Sequence, residues 1–255
     1  MNPAARIILF ASSALCFGAL LLAAMAGLPP FGNYQGPYGD VINDRALPQR
    51  HTPQSVAAVT FDYRGFDTMA EEFIFFAAVA GVLLLMRPQK GEEDRPPQDE
   101  AADRRSPPSS DAVRAAGTGL FPFTLLLGIY IILHGHLTPG GGFQGGVVSA
   151  SAFFFIYLSG EYSDLERFTP PATLDILEAA GASAFVLVGI AGLLFGAAFM
   201  ENVFPLGEAG ELFSAGALPL LNIAVGLEVS AGFLLVLSAF LRQALIVRER
   251  STGGA

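Results

Sequence analysis

The chain has 255 residues, of which 52% are hydrophobic and 15% are charged, and its mean hydropathy is +0.51. Soluble domains carry about 25% charged residues, so this composition predicts a membrane protein. The formal net charge of −9 disfavours a nucleic-acid partner. Cys16 is the only cysteine, which excludes an internal disulfide and any metal site built from several cysteines.

The first apolar run covers residues 7–28 and is long enough to cross about 30 Å of hydrocarbon. A cleaved signal peptide is the alternative, with Arg6 as its basic start and Ala24-Met-Ala26 as its cleavage site. Residues 29–65 are polar and lack helical periodicity. Within them, residues 56–63 predict a short strand or an interfacial segment.

The second apolar helix is expected to open at a capping box formed by Thr68 and Glu71 and to run to residue 86. Residues 88–115 are rich in charges and prolines, and they contain few large apolar side chains. Such a segment buries too little apolar surface to offset its ordering entropy, so we predict a disordered cytoplasmic linker. Four further apolar runs complete a set of six: residues 117–133, 143–158, 174–200 and 217–241.

These runs predict an all-α, polytopic integral membrane protein with about six transmembrane helices in a 2+4 arrangement. Its parts would be a two-helix module (1–87), the linker (88–115), a four-helix domain (116–241) and a cytoplasmic tail (242–255). If the N-terminus is inside, eleven of the fourteen lysines and arginines are cytoplasmic. The positive-inside rule therefore predicts a multi-pass cell-membrane protein with both termini in the cytoplasm.

A glycine-rich turn separates the third and fourth apolar runs. Pro139 cannot extend the helix before it, and Gly140, Gly141 and Gly142 allow backbone angles closed to other residues. After the turn, Gly142, Gly146 and Ala150 recur every four residues and would form a smooth stripe for packing another helix. Taken alone, the pattern is typical of a tight hairpin between two spanning helices.

The turn also resembles a family signature. Thr138-Pro-Gly-Gly-Gly-Phe-Gln-Gly-Gly-Val147 is similar to the motif of the MnhB-type domain, found in the B-type component of Mrp sodium/proton antiporters and in membrane-bound hydrogenase-like complexes. This resemblance covers roughly residues 116–241. Phe61-Asp-Tyr-Arg-Gly-Phe-Asp-Thr68, with Glu71, resembles the C-terminal module of the Mrp A subunit and the small E-type hydrogenase subunit, over roughly residues 1–87.

The resemblance implies that the chain is an accessory subunit of an assembly that exchanges internal sodium for external protons. The implied partners are the large A and D subunits, the small C, E, F and G subunits, sodium ions, protons and the lipid bilayer. In the family, the A and D subunits hold the paired lysines and glutamates that move protons. Here Lys90 is the only lysine, and no arginine lies in an expected span. The chain should therefore need neighbours to complete a proton path.

Several acids are candidates for that path. Glu228 lies about eleven residues into the last span, roughly 16 Å deep at about 1.5 Å per residue. An unpaired charge there is expensive, so Glu228 is either a proton- or sodium-linked site or a neutral group bonded to another helix. Glu178 lies near the start of the fifth span, where the helix dipole favours an acid. The resemblance adds Asp67 and Glu71, whereas Glu72 lacks that support.

His134 and His136 are the remaining candidates. Two histidines two residues apart do not share a helical face, which disfavours a shared metal site. Each is either a proton relay or an anchor for the helix end at the interface. Gln144 could bond a neighbour across the glycine stripe. We predict no metal and no cofactor.

No enzyme active site is visible, because the sequence lacks a phosphate-binding glycine loop, a redox cysteine set and a histidine set for haem. Three alternatives to the antiporter subunit stay open at this point. They are a membrane-arm subunit of a hydrogenase-like or respiratory complex, a self-contained carrier, and a structural spacer.

Overall fold

The computed structural model describes residues 3–28, 32, 36–87, 110–160 and 162–252. Within these ranges every regular element is helical, and no strand occurs. The α-helices are α1 (Pro3–Ala26), α2 (Pro37–Arg50), α3 (Ser55–Ala58), α4 (Gly65–Leu85), α5 (Asp111–Leu133), α6 (Gly142–Ser159), α7 (Tyr162–Phe168), α8 (Pro171–Phe195) and α9 (Leu218–Thr252). A short π-helix, Val59–Tyr63, joins α3 to α4.

Among the described residues, six helices are long and apolar enough to cross a membrane, which confirms the predicted number of spans. They are Ala4–Ala26, Gly65–Leu85, Asp111–Leu133, Gly142–Ser159, Pro171–Phe195 and Leu218–Arg242. All six helices meet the length and composition expected of a transmembrane helix, since charged residues are scarce in each. The chain is therefore a multi-pass membrane protein.

The chain divides into two compact units, residues 1–41 and residues 42–255. In the first unit, the most apolar stretch of α1 has no buried residue, and its Cys16 is exposed. A helix that is apolar all round is typical of a membrane span or of a buried core helix. The composition of α1 therefore fits a membrane environment.

In the second unit, α9 is the central helix. It has the largest buried share of the candidate spans, 61% of its most apolar stretch, and it packs against α4, α6 and α8. Its buried Leu221, Val225 and Val229 form a core with Phe185 of α8 and Phe61 of the π-helix. Every helix that carries a buried acid therefore contacts α9 or is α9 itself.

The stripe of small residues on α6 lies against α9. A methyl group added at Gly146 would lie 2.8 Å from Val229 Cβ, and one added at Gly142 would lie 2.7 Å from Val225 Cβ. Ala150 is also buried. The two backbones can approach this closely only because the stripe has almost no side-chain volume.

Replacing Gly146 with leucine should therefore destabilise the protein. Overpacking a tight contact typically costs about 1–3 kcal/mol, and here the obstacle is a fully buried valine. We expect a lower melting temperature in detergent and less recovery of any complex by co-purification. Gly119→Leu is the matched control, because nothing lies within 4 Å of a methyl group added there. Full recovery of the Gly146→Leu complex would contradict the packing role.

Four local predictions are wrong. Thr68 and Glu71 do not form a capping box, because the π-helix runs directly into α4, which begins at Gly65. The Thr68 hydroxyl instead donates a 2.6 Å hydrogen bond to the Thr60 carbonyl. Residues 55–63 are helical rather than a strand, because Gln54 caps α3 by accepting from the N–H groups of Val56 and Ala57.

The third correction concerns residues 29–65, which contain the helix α2 despite their weak periodicity. Its last residue is held by tertiary contacts: Arg50 Nε lies 2.7 Å from Asp62 Oδ1, and its guanidinium lies over the Tyr63 ring. The predicted linker begins outside the described residues, which resume at Ser110. Because the Ser110 hydroxyl caps α5, residues 111–115 are helical rather than disordered.

Candidate functional site

Three buried acids from three helices come together beside the centre of α9. Glu72 of α4 and Glu178 of α8 are each 6% exposed, and Glu228 of α9 is fully buried. Glu228 interacts electrostatically with both of the others, and its carboxyl group faces that of Glu72. We call these three residues the acid cluster.

Close helix packing brings the members together. Gly181 lies one turn after Glu178, and a methyl group added there would lie 2.7 Å from the Glu228 backbone nitrogen. On the side of α9 that faces α4, the Phe75 ring packs against Gly232. A methyl group added at Gly232 would lie 2.7 Å from the Phe75 ring. A glycine therefore allows the approach on each side of α9.

The acid cluster has few internal partners. Glu72 Oε2, Glu178 Oε1 and both carboxyl oxygens of Glu228 lack a hydrogen bond of standard geometry from any described residue. Among the described residues, lysine and arginine side chains form the ion pairs Arg50–Asp62 and Arg64–Asp67. Neither pair involves the acid cluster. Leaving a buried polar group unbonded costs about 1–3 kcal/mol, so this arrangement is not explained by stability.

Two neighbouring carboxyl groups in a medium of low dielectric constant cannot both be ionised without a large cost in electrostatic free energy. Glu72 and Glu228 face each other in that situation. A proton on either residue gives one donor and one acceptor, which lets the two carboxyl groups bond to each other. The acid cluster can therefore hold a proton that moves between two helices.

Sequence reasoning gave Asp67 and Glu71 priority over Glu72. The structure places Asp67 at the exposed start of α4, where its Oδ2 accepts a 2.7 Å hydrogen bond from Arg64 Nε. Glu71 is exposed as well. The helical periodicity of α4 could have identified Glu72 as the buried acid, because Thr68, Glu72 and Val79 lie on one buried face of that helix.

A cavity of about 280 Å³ lies between the π-helix, α4 and the glycine-rich turn. Glu72 lines it and is also part of the acid cluster, so the cavity leads from the turn to the cluster. We call it the turn cleft. Its other polar and glycine lining residues are Thr60, Thr68, Glu71, Gly140, Gly141, Gly142 and Gln144.

Asn222 of α9 fixes the glycine-rich turn. Its side-chain oxygen accepts a 2.8 Å hydrogen bond from the Gly142 N–H, and its amide nitrogen donates a 2.9 Å bond to the Leu218 carbonyl. Gly140 and Gly141 have φ angles of +128° and +145°, which favour glycine. Sequence reasoning missed Asn222, although a lone polar amide inside an apolar span was a usable signal.

Replacing Asn222 with leucine should destabilise the turn. The substitution leaves the Gly142 N–H buried without its acceptor, which costs about 1–3 kcal/mol. We expect a lower melting temperature and faster amide hydrogen exchange at Gly142. Ser151→Ala is the control, because its exposed hydroxyl bonds only within α6. A melting temperature equal to that of the parent chain would contradict this role for Asn222.

The two histidines before the turn have separate environments. His134 lies at the end of α5, where its Nδ1 donates to the Tyr130 carbonyl over 3.0 Å and its ring stacks on Tyr130 at 4.1 Å. His136 is fully buried, and its Nε2 lies 3.4 Å from the Glu211 carbonyl. Neither lines the turn cleft. Among the described residues, no group of three His, Cys, Asp or Glu side chains could hold a metal ion.

Burial lowers the pKa of His136 below its usual value of 6.5. The unfolded chain therefore binds more protons than the folded chain as the pH falls from about 6.5 through the folded-state pKa. We expect the melting temperature to fall with pH in that window. The fall should be shallower in His136→Gln, measured in the same detergent. Parallel curves for the two proteins would show that His136 is not responsible.

The comparisons with known proteins agree with this architecture. The family model described as "domain related to MnhB subunit of Na+/H+ antiporter" matches residues 112–235. The B-type component of the Na(+)/H(+) antiporter of Bacillus subtilis is similar, with 32% identity over 97 residues that cover 38% of this chain and 67% of that protein. The chain belongs to the family of MnhB-related proteins. This confirms the resemblance carried by the glycine-rich turn.

An uncharacterized protein of Methanocaldococcus jannaschii is similar over a longer part of the chain. It has 35% identity over 212 residues, which cover 75% of this chain and 78% of that protein. A chain of the archaeal membrane-bound sulfane sulfur reductase, a respiratory membrane complex, is similar in structure. The TM-score is 0.72 and the identity 28%, over 94% of this chain and 98% of that one.

A chain of the Mrp complex from Dietzia sp. DQ12-45-1b has the same fold, with a TM-score of 0.72 and 22% identity. That match covers 95% of this chain but only 26% of the other, so the Dietzia chain is much longer. Within the present chain, the MnhB-related match contains Glu178 and Glu228 and begins after Glu72, at residue 112. The acid cluster therefore joins the MnhB-related domain to α4, which precedes it.

Proposed function

We propose that this chain is an accessory subunit of a multisubunit monovalent cation/proton antiporter and that its acid cluster forms part of the proton path. The observation that carries this proposal is the meeting of Glu72, Glu178 and Glu228, buried and without a cationic partner in the described residues. Intramembrane acids are expensive and usually mark ion or proton pathways.

The position of each acid sets its role in the proposed proton path. Glu72 lines the turn cleft and exchanges protons with water there. Glu228 is fully buried and receives the proton from Glu72. Glu178, near the start of α8, continues the path toward the other side. No described lysine or arginine supports this relay, so neighbouring subunits supply the remaining groups.

The proposal includes an orientation and a set of partners. The charge distribution supports cytoplasmic termini in the cell membrane, which puts the glycine-rich turn and the turn cleft on the outer side. The partners are other antiporter subunits, namely the large A and D subunits and the small C, E, F and G subunits. Residues 1–87 would act as the A-like module and residues 116–241 as the B-like domain.

A second candidate function is a membrane-arm subunit of a redox-coupled respiratory complex. The similarity to a chain of the sulfane sulfur reductase complex favours it, since nearly all of that chain is matched. The subunits that co-purify in gentle detergent distinguish the two. Large antiporter subunits without redox proteins support the antiporter, whereas iron–sulfur subunits in the same particle support the respiratory complex.

The test of the first proposal is cation/proton exchange in everted membrane vesicles that contain the whole assembly. Removing this chain should abolish exchange, and restoring it should recover exchange. A complex that assembles and transports normally without this chain would contradict the proposal. In either complex the chain itself acts as a transport subunit rather than an enzyme.

A further inference from the structure

The turn cleft has features that proton transfer alone does not require. It has room for an ion with several waters, since one water occupies about 30 Å³ in the liquid and the cavity measures about 280 Å³. Its polar lining also offers oxygen atoms at several points, from both α4 and α6. A proton relay needs only a chain of water molecules.

We propose that the turn cleft binds one partly hydrated monovalent cation, held by Glu72 together with Glu71 and Gln144, and that this cation competes with a proton for Glu72. The inference deepens the proposed function, on which it rests, by placing the exchanged ion within this chain.

Glu72 points to a ligand because it is buried and incompletely bonded. It is 6% exposed, it lines the turn cleft, and its Oε2 has no hydrogen bond from any described residue. A bound cation would provide the missing partner. Carboxylate, amide and water oxygens are the ligands that hard cations prefer, and the lining offers them without a nitrogen or sulfur ligand.

The other ligands lie around Glu72 on separate elements. Glu71 is exposed and adds a second carboxylate at the mouth of the turn cleft. Gln144 is exposed at the start of α6 and can present its amide oxygen. Gly140 and Gly141 form a wall without side chains, so the cation can approach the backbone closely.

The buried pair of Glu72 and Glu228 can offer one negative charge to a cation when Glu72 alone loses its proton. The acidic groups that face Glu72 are Glu71 on its own helix and Glu228 on α9, while Glu178 on α8 faces Glu228. Of the residues that the structure describes, no lysine, arginine or histidine lines the turn cleft. With protons on both Glu72 and Glu228, the buried pair is neutral.

Cation binding keeps that pair neutral. As the cation binds, the Glu72 O–H bond breaks, the proton leaves through water in the turn cleft, and the cation takes its place beside the carboxylate. Glu228 keeps its proton during this binding step, which is separate from the transfer of a proton between Glu72 and Glu228. One proton is released for each monovalent cation bound, so the net charge around the buried pair is unchanged by the exchange.

The test uses the purified full-length chain in detergent, with sodium chloride as the probe. Sodium chloride replaces N-methylglucamine chloride at constant ionic strength, and infrared difference spectra and released protons are recorded. We expect a protonated-carboxyl band to disappear, carboxylate bands to appear, and about one proton per chain to be released. Glu72→Gln should abolish both signals. Gln144→Leu, at an exposed position, should weaken apparent sodium affinity at least about tenfold.

Glu166→Gln is the matched control, since Glu166 is an exposed acid on α7, outside the turn cleft. It should leave both signals unchanged. The proposal is overturned if sodium produces no signal in the parent chain, or if the signals survive in Glu72→Gln. A failure here leaves the transport role testable, because that role depends on exchange by the whole assembly and on Glu228.

Discussion

Replacing Glu228 with glutamine should reduce cation-driven proton exchange by the intact assembly by at least about a hundredfold, with no loss of assembled complex. Glutamine has nearly the same shape as a protonated glutamate, so the packing of α9 should survive. It cannot accept and release a proton, so transfer from Glu72 should stop. The measurement is proton flux in everted vesicles after a sodium or potassium pulse, normalised to the amount of complex.

Glu166→Gln provides the control for charge removal alone, and it should transport at the rate of the parent complex. If Glu228→Gln transports normally, Glu228 has no obligatory role in charge transfer. The chain would then be a structural spacer, and its acids would bond neighbouring helices without conducting protons.

The double variant Glu72→Gln/Glu228→Gln should transport no more slowly than the slower of its two single variants. Both residues act on the same proton, so breaking either one stops the same step, and the second change adds little. Independent roles would instead multiply the two losses. The measurement is a double-mutant cycle on proton flux in the same vesicles.

Asp67→Asn combined with Glu228→Gln is the matched comparison. Asp67 is exposed and pairs with Arg64, away from the acid cluster, so its effect should simply multiply with that of Glu228→Gln. If the losses of proton flux caused by Glu72→Gln and Glu228→Gln multiply in the double variant, the two residues do not act on one shared proton. That result would leave the two acids as separate sites on separate helices.

Features that depend on local sequence could be predicted well. The six spans follow from the lengths of the apolar runs, because about 20 apolar residues are needed to cross a bilayer. The family follows from the glycine-rich turn, whose backbone angles require glycine at Gly140 and Gly141. The position of Glu228 in the middle of the last span marked it as a candidate, because an acid at that depth is costly if it is charged and unpaired.

Features that depend on which helices are neighbours could not be predicted from one sequence. Glu72 and Glu228 are 156 positions apart, and nothing local to either indicates that α4 packs on α9. Resemblance favoured Glu71, which is exposed, whereas the adjacent Glu72 is buried. The link between Asn222 and the turn is long-range in the same way, since it joins α9 to the start of α6.

The local errors have a different cause. Thr68 and Glu71 have the spacing of a capping box, but the sequence gives no sign that a π-helix already precedes α4. The end of α2 is held by Arg50 and Asp62, which lie on different elements. At the start of α4 the preceding π-helix overrides the short-range pattern, and at the end of α2 a tertiary contact does so.

The central claim is that the acid cluster is one section of a proton path that other subunits complete. The most direct test compares liposomes containing the purified chain alone with liposomes containing the intact assembly, under the same imposed sodium gradient. We expect sodium-dependent proton flux from the assembly and none above the background of empty liposomes from the chain alone. Comparable flux per protein from the solitary chain would contradict the account.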